Sequence, residues 1–448
     1  MAAKVASKSA EPSSVEVLTI FSNQDPEDSV SITDGLVELS YVESIMNDTI
    51  KVIVTFTDTG NSIKNKTVME GLPLVGQEKV LIRFSDNNSN VIGGTPQLVL
   101  YVNKITPTVN RTQKSIVTLE LVSKEYILNE KIRVRKRFDG KISDHIRNVL
   151  TSQDYLRTSK NLEVEESINN YNFFGNNKKP FYIINWVSKK AVSATNQTLG
   201  ESAGYFFYET LDGFFFRSID GLLAQKPKLR MIYNQTPDLK GTNIPEGYDQ
   251  KILNFSKGNN VNVQEKLKMG AFTNRTVLFD PFTGYYEVRL KNTEQTEPTL
   301  KLGGKQLPLN KARNKEFDIP ETNNEFSRTQ YFLLDKGTIP TGNSDQQIEK
   351  SYEENFEYSQ IANQSMMRYN QLYSLRASIT IAGNFSLRAG DMLYIDSPGL
   401  ETKNTNDVDR KDGGLYIITD ICHKVDSRGT YTQCNLARDS FGRKPLPR

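Results

Sequence analysis

The chain has 448 residues, 37% of them hydrophobic and 24% charged, with 56 Lys and Arg against 53 Asp and Glu and a net charge of +3. That length exceeds what one hydrophobic core organises, so more than one domain is expected, and the near balance of charge gives no argument for a nucleic-acid or membrane partner. Only 2 cysteines are present, which excludes a disulfide framework and fits a reducing site of synthesis.

The first 14 residues, MAAKVASKSAEPSS, are polar and lack the apolar stretch of a signal peptide, so 1–14 reads as a flexible tail. No apolar run approaches the roughly 18 residues of a membrane span, and no stable membrane insertion is expected. N-x-[ST] sequons at Asn47, Asn65, Asn110 and Asn196 read as chance in an Asn-rich chain.

From 15 to 126 the pattern is strand-like. "LVELSYVESI", "IKVIVTFTD", "EKVLIRFSD", "QLVLYVNKI" and "SIVTLELVS" alternate or are β-branched, with Asn, Asp, Gly and Thr-Pro turns between them. Such short antiparallel strands point to a small barrel or sandwich. The basic stretch "KIRVRKRF", 131–138, reads as a solvated strand edge rather than a nucleic-acid contact. In "DGKISDHIRNVLTS", Ile142, Ile146, Val149 and Leu150 fall on one helical face, with Ser143 or Asp144 as candidate caps. "PFYIINWVS", 180–188, reads as a strand.

"GYFFYETLDGFFFRSIDGLL" follows, with a hairpin turn expected at Asp212-Gly213. Aromatics occupy both faces of both strands, so a hairpin buried on two sides is favoured over an aromatic binding platform. Residues 240–350 are less regular, with a short helix at "VQEKLKMGAF" and a strand at "YYEVRLK". A helix is expected from about 345 to 375, capped by Ser344 or Asp345, and strand patterns return over 376–440.

The last segment echoes the first. "LVGQEKVLIRF" at 74–84 lines up with "LRAGDMLYIDS" at 387–397, which pairs Gly76 with Gly390 and Glu78 with Asp391. Tyr101 lies 25 residues after Gly76, and Tyr416 lies 26 after Gly390. From Tyr101 to Val117 and from Tyr416 to Thr432 is 16 residues each. Upstream, "VTFTDTG" answers "SITIAGN". The fold class is therefore mainly β with α+β insertions: two similar small antiparallel β-barrel modules and a mixed middle region. The expected division is 1–14 tail, 15–128 first barrel, 129–203 and 241–345 mixed region, and 204–240 with 346–448 second barrel and its preceding helix. Three copies of such a chain would present six similar modules in a ring.

Cys422, His423 and Cys434 all lie in "ICHKVDSRGTYTQC". Neighbouring strand residues point to opposite faces, so Cys422 and His423 do not converge on one ion, and the other histidine, His145, belongs to another expected domain. With the turn at 426–429 and Val425 facing Thr430, Cys422 opposes Gln433 and Cys434 takes the other face. A one-residue slip would bring the cysteines together. In "DVDRKDGG", Asp407, Asp409, Asp412 and Gly413 suggest a calcium loop, but Lys411 and Ile418 break its ligand pattern. No phosphate-loop, dinucleotide, nucleophile-elbow or zincin motif is present. No catalytic, metal or cofactor residue is assigned.

The order "ITDGLVELSYVESIMNDTIKVIVTFTDTG", "LPLVGQEKVLIRF", "GYFFYETLDGFFFRSID", "LRASITIAGNFSLRAGDMLYIDSPG", "GGLYIITDICHKVDSRGTYTQCNLARDSFG" resembles the baseplate hub proteins of contractile-tailed phages, most of all the T-even-type hub. It is also similar to the hub part of the spike proteins of contractile injection systems. The likeness runs over about 15–440, and "KLGGKQLPLNKARNKEFDIPETNNEF" has no counterpart in it. The resemblance implies a non-enzymatic homotrimer with a central channel in the tail baseplate of a virion, assembled in the host cytoplasm. Its partners would be the central spike, the tail tube, baseplate wedge proteins and the tape-measure protein. DNA would be met only in transit. It also implies that the aromatic hairpin opens the second barrel. Two alternatives stay open: a cell-wall hydrolase with its site in 129–340, and a sixfold distal-tail adaptor.

Overall fold

A computed structural model describes residues 10–442 except 26, 61–64, 112–113, 195–202, 234–243, 245, 259–261, 271–272, 280–283, 285, 293–300, 304–325, 334–357 and 398–412. The chain is mainly β, as its composition of short alternating runs requires.

The first module holds β1 (Val15–Phe21), β2 (Ser29–Ser31), β3 (Leu36–Ser44), β4 (Lys51–Asp58), a helical turn α1 (Val68–Gly71), β5 (Lys79–Ser85), β6 (Val91–Ile92), β7 (Leu98–Arg111) and β8 (Lys114–Val122). Its strands alternate as read: Val52, Val54 and Phe56 of β4, Val80, Ile82 and Phe84 of β5, and Val117, Leu119 and Leu121 of β8 enter one core. The middle region holds α2 (Lys124–Lys131), β9 (Arg137–Phe138), α3 (Ile142–Thr151), β10 (Leu162–Val164), β11 (Phe173–Phe174), α4 (Pro180–Ser188), β12 (Tyr205–Thr210), β13 (Gly213–Ser218) and α5 (Ile219–Leu223). Then come β14 (Leu229–Tyr233), β15 (Gln250–Lys257), α6 (Val263–Lys268), β16 (Thr273–Phe279), β17 (Tyr286–Asn292), β18 (Thr329–Leu333) and α7 (Tyr358–Leu372). The chain closes with β19 (Leu375–Ala382), β20 (Met392–Asp396), β21 (Gly414–Asp426) and β22 (Gly429–Arg438).

The second module is a closed six-strand barrel in the order β14-β20-β21-β22-β19-β15, with β14 parallel to both β20 and β15. The first module has the order β1-β5-β7-β8-β4-β3. One continuous sheet joins them, because the outer half of β21 pairs antiparallel with β3 from Asp420↔Ser44 to Asp426↔Glu38.

Several expectations are corrected. Residues 180–188 form helix α4, not a strand. Pro180 sits in its first turn, where no N–H is needed, and Pro180, Ile183, Ile184 and Val187 bury one helical face. The cap of α3 is Lys141 without a side-chain bond; the Ser143 N–H instead donates to Ser167 Oγ at 3.0 Å. The stretch 131–138 is no continuous strand edge: Lys131 ends α2, Val134 bridges to Lys178, and Arg137–Phe138 pairs with β11. In the aromatic hairpin Thr210 faces Gly213, so the turn is centred one residue earlier, on Leu211 and Asp212. Gly213 has φ +131°, and a Cβ there would lie 2.2 Å from the Asn161 carbonyl oxygen. The hairpin also does not enter the second barrel. It forms a three-stranded sheet with β10, and the barrel draws on 229–233 and 250–257 instead.

The hairpin is nonetheless buried on both sides. Phe206 and Tyr208 pack into the second barrel's core, while Tyr205, Phe207, Phe214 and Phe216 pack with α3 and α4. The helix expected over 345–375 is described from Tyr358 to Leu372, and its expected caps Ser344 and Asp345 lie outside the described residues, as do Asp407, Asp409 and Asp412.

Candidate functional site

The joint between the modules is built around a buried carboxylate. Along β3, Leu39, Tyr41 and Glu43 share one face and all are buried. Glu43 accepts hydrogen bonds from Tyr41 Oη at 2.7 Å, from the Leu211 N–H at 2.9 Å and from the Ala389 N–H at 2.9 Å. Arg388 Nε stands 3.9 Å away. One side chain thus ties the first module to the hairpin tip and to the loop that enters β20. Burial pushes its carboxyl up to about 7, against the opposing pull of Arg388 and the three donors.

A second buried cluster lies beside it. Glu209 of β12 accepts from Ser123 Oγ at 2.7 Å and from the Ile50 N–H at 3.1 Å, and it pairs with Lys160. Lys160 also reaches Glu125 at 3.1 Å. Burial raises the Glu209 carboxyl, offset by Lys160. For Lys160, burial pulls the ammonium down, but Glu209 and Glu125 outweigh it and its pKa is raised. A third tie is Asp86, which accepts from the Phe385 N–H at 2.9 Å while Phe84 and Phe385 meet edge to face.

Of the repeat positions, Glu78 and Asp391 occupy equivalent places in the two modules, while Gly76 and Tyr101 each lie one residue away from the counterparts of Gly390 and Tyr416. Glu78 accepts from the N–H groups of Val75 and Gly76 at 2.8 and 2.9 Å, and Asp391 accepts from the Arg388 N–H at 2.8 Å. The backbone matches: Gln77 N–H donates to Val102 and Val102 N–H to Glu78, while Gly390 N–H donates to Ile418 and Ile418 N–H to Asp391. This pattern sets Glu78 against Asp391, but Gln77 (φ +70°) rather than Gly76 against Gly390 (φ +87°). Tyr101 faces Lys79, as Ile417 faces Met392, so Tyr416 lies one position away from Tyr101's counterpart.

The likeness extends to irregularities. The β7–β8 ladder shifts between Val102 and Lys104, and the β21–β22 ladder between Ile418 and Asp420. The β3–β4 ladder shifts between Leu36 and Glu38, and the β15–β19 ladder between Ile252 and Asn254. Bulges are placed features of a sheet, so two matching pairs bind the modules together more closely than residue identity does. Gly390→Ala is expected to cost about 2 kcal/mol in a denaturant titration, from positive φ and a Cβ only 2.5 Å from Tyr208 Oη. Gln77→Gly at the equivalent place should cost nothing.

In the final hairpin Val425 faces Thr430 and Cys422 faces Gln433, the register read from the turn. Both cysteines are free, and Cys434 is buried, which raises its thiol strongly. His423 donates from Nε2 to the Leu387 carbonyl at 3.1 Å and meets Thr432 Oγ1 at 3.0 Å; burial, with Arg388 nearby, lowers its pKa to about 3, so it is a neutral core group. His145 is separately buried in the middle region. Among the described residues no group of three His, Cys, Asp or Glu side chains is placed to hold a metal ion, and no helix is long and apolar enough to cross a membrane.

An open cleft of about 1040 Å³ lies between α7, α4, β18 and the second barrel. Asp420 is the sole carboxylate among the residues lining it, and it already accepts from Ser44 Oγ at 2.6 Å. Glycoside cleavage uses a pair of carboxyl groups, which this cleft lacks among the described residues. The buried groups at the joint escaped sequence reading, although their signal was present: Glu43 continues the inward row Leu39, Tyr41, and Glu209 the row Tyr205, Phe207.

No family model matches the chain, and comparison with curated proteins by sequence finds no match. Solved structures do match. The 43 kDa tail protein of prophage MuSo2 from Shewanella oneidensis aligns over 95% of this chain and 98% of its own, with a TM-score of 0.50 at 7% identity. The tail protein from Neisseria meningitidis MC58 aligns over 94% of this chain and 96% of its own, with a TM-score of 0.50 at 7% identity. At that identity the likeness is one of fold: this chain shares the fold of these two tail proteins.

Proposed function

We propose that the chain is the structural hub of a contractile-tail baseplate, a homotrimer around a central channel, without catalysis. Three chains with two like modules each present six near-equivalent units, so a threefold object can seat a sixfold one. In this reading the hub adapts a threefold central spike to a sixfold tail tube and starts tube assembly. Wedge proteins and the tape-measure protein are its neighbours, and DNA crosses its channel at infection. It belongs to the virion and is assembled in the host cytoplasm. The division into a first module over 15–128 and a second completed by 346–448 is part of the proposal. The observation that carries it is the internal duplication: one strand order, and two pairs of matching bulges, in two modules joined by a shared strand. The fold likeness to the two tail proteins supports it.

Light scattering on the purified protein is expected to give three times the 50.8 kDa chain mass. A hexamer would favour a sixfold distal-tail adaptor, and a monomer at high concentration would count against the hub.

A further inference from the structure

The duplication leaves two edges unmatched. Within the chain, the outer half of β21 is filled by β3. The loop entering β20 is covered at the same joint: the Ala389 N–H bonds Glu43, and the Arg388 side chain is only 12% exposed. The equivalent of β21 is β7, whose ladder with β5 ends at Tyr101 while its ladder with β8 runs on to Arg111. No strand among the described residues pairs with the other edge of β7 beyond Tyr101. The loop equivalent to 387–390 holds Val75, a large apolar side chain left 81% exposed. The equivalent of β3 is β15. Its ladder with β14 ends at Ile252, and among the described residues its second half, through Lys257, pairs with β19 alone. The first module thus repeats one half of the internal joint on β7, and the second module repeats the other half on β15.

We infer that the outer edge of β7 in one copy pairs antiparallel with the outer half of β15 in the next copy, repeating the β21–β3 joint between subunits. The contact is head-to-tail, so it generates a ring or an open fibre rather than a twofold dimer. Its register follows from the bulges. Setting Val102 against Ile418 and Leu36 against Ile252 makes Pro107 the counterpart of His423 and Lys257 that of Tyr41. His423 and Tyr41 are directly opposed in the internal joint, their rings stacked at 6.0 Å. Pro107 of one copy therefore faces Lys257 of the next, and Thr106 faces Gly258. Pro107 brings no N–H, so this ladder has one donor fewer than its model, an asymmetry that keeps the subunit joint weaker than the internal one. Val75 becomes buried, as Arg388 is. The inference deepens the trimer reading and rests on it only for the number of copies.

The test is cysteine cross-linking of the full chain in a Cys422→Ser background, Cys434 being buried. Pro107 and Lys257 are both exposed, so Pro107→Cys with Lys257→Cys leaves the cores untouched. Directly opposed residues hold their Cβ atoms about 4.5–5.5 Å apart, and a small shift of the two edge strands brings them to the roughly 3.5–4.5 Å a disulfide spans. Under mild oxidation most of the double variant is expected to run as covalent oligomers ending at three. Each single variant, and Pro107→Cys with Ser256→Cys on the opposite face, should stay uncrosslinked. A solution trimer in which Pro107→Cys and Lys257→Cys fail to link overturns this pairing and leaves the trimer standing. Linked species that continue past three uphold the pairing and remove the threefold closure. A chain monomeric at every concentration overturns both.

Discussion

Replacing Glu43 by alanine is expected to lower the unfolding free energy by about 2–5 kcal/mol in a urea titration, because a buried N–H, a buried tyrosine hydroxyl and a part-buried N–H all lose their acceptor. All three donors, from Tyr41, Leu211 and Ala389, are within 2.9 Å of the carboxylate, and those of Tyr41 and Ala389 are buried away from water. Glu43→Gln separates the shape of this staple from its charge. The folded-state pKa, about 7, lies above the ordinary carboxyl value of 4.5, so the folded chain holds a proton that the unfolded chain has lost between those values. The stability contributed by that proton is fully present below pH 4.5 and is lost as pH rises through 7. The loss amounts to about 3 kcal/mol. Denaturant midpoints of the parent should therefore fall from pH 5 to pH 8 with a component that Glu43→Gln removes. Parallel pH profiles for the two proteins would show that this carboxyl titrates normally.

Lys160→Met is expected to cost about 3–5 kcal/mol at neutral pH, because it strips the cation from two buried carboxylates and leaves them facing each other. Glu209 and Glu125 are 1% and 4% exposed, while Lys160 retains 30% exposure, so the penalty falls on the acids rather than on the lysine. Adding Glu209→Gln to Lys160→Met should restore most of the loss, since the amide still accepts from Ser123 and Ile50 without a charge to bury. A double variant as unstable as the sum of its single changes would show that the charges are not coupled. The single variant should also regain stability on acidification, as the buried Glu209 carboxyl takes up a proton.

The parts of the fold legible in the sequence are those where one physical signal dominates. Alternation in "IKVIVTFTD" and "SIVTLELVS" marks strands with one wet face, and β4 and β8 follow it residue by residue. The spacing of Ile142, Ile146, Val149 and Leu150 marks α3 for the same reason. "PFYIINWVS" failed because a short, nearly continuous apolar run carries neither period clearly, and Pro180 serves as well at a helix start as at a strand edge. The aromatic hairpin was read correctly as buried on two sides, but its sheet partner, β10, is a three-residue strand with no pattern of its own. The duplication was legible through spacing, although Tyr101 and Tyr416 slip by one against the ladders. Bulges absorb a residue without leaving a mark in composition, so only the register shows the true correspondence. Glu43 and Glu209 went unread because a lone acid on an inward row looks like the end of a strand until its donors, from distant segments, are in place.

Strand β21 belongs to both modules at once: its first residues pair with β20 and its last seven with β3. The shared strand joins the first module and the second barrel without a tether, so the two behave as one mechanical body. An antiparallel ladder pulled along its strands loads all its rungs in shear together, whereas one pulled across them opens rung by rung. Tension that draws β21 and β3 past each other therefore meets the seven-residue overlap as a whole. Loaded along its strands, this joint holds as a rivet does and yields only to peeling.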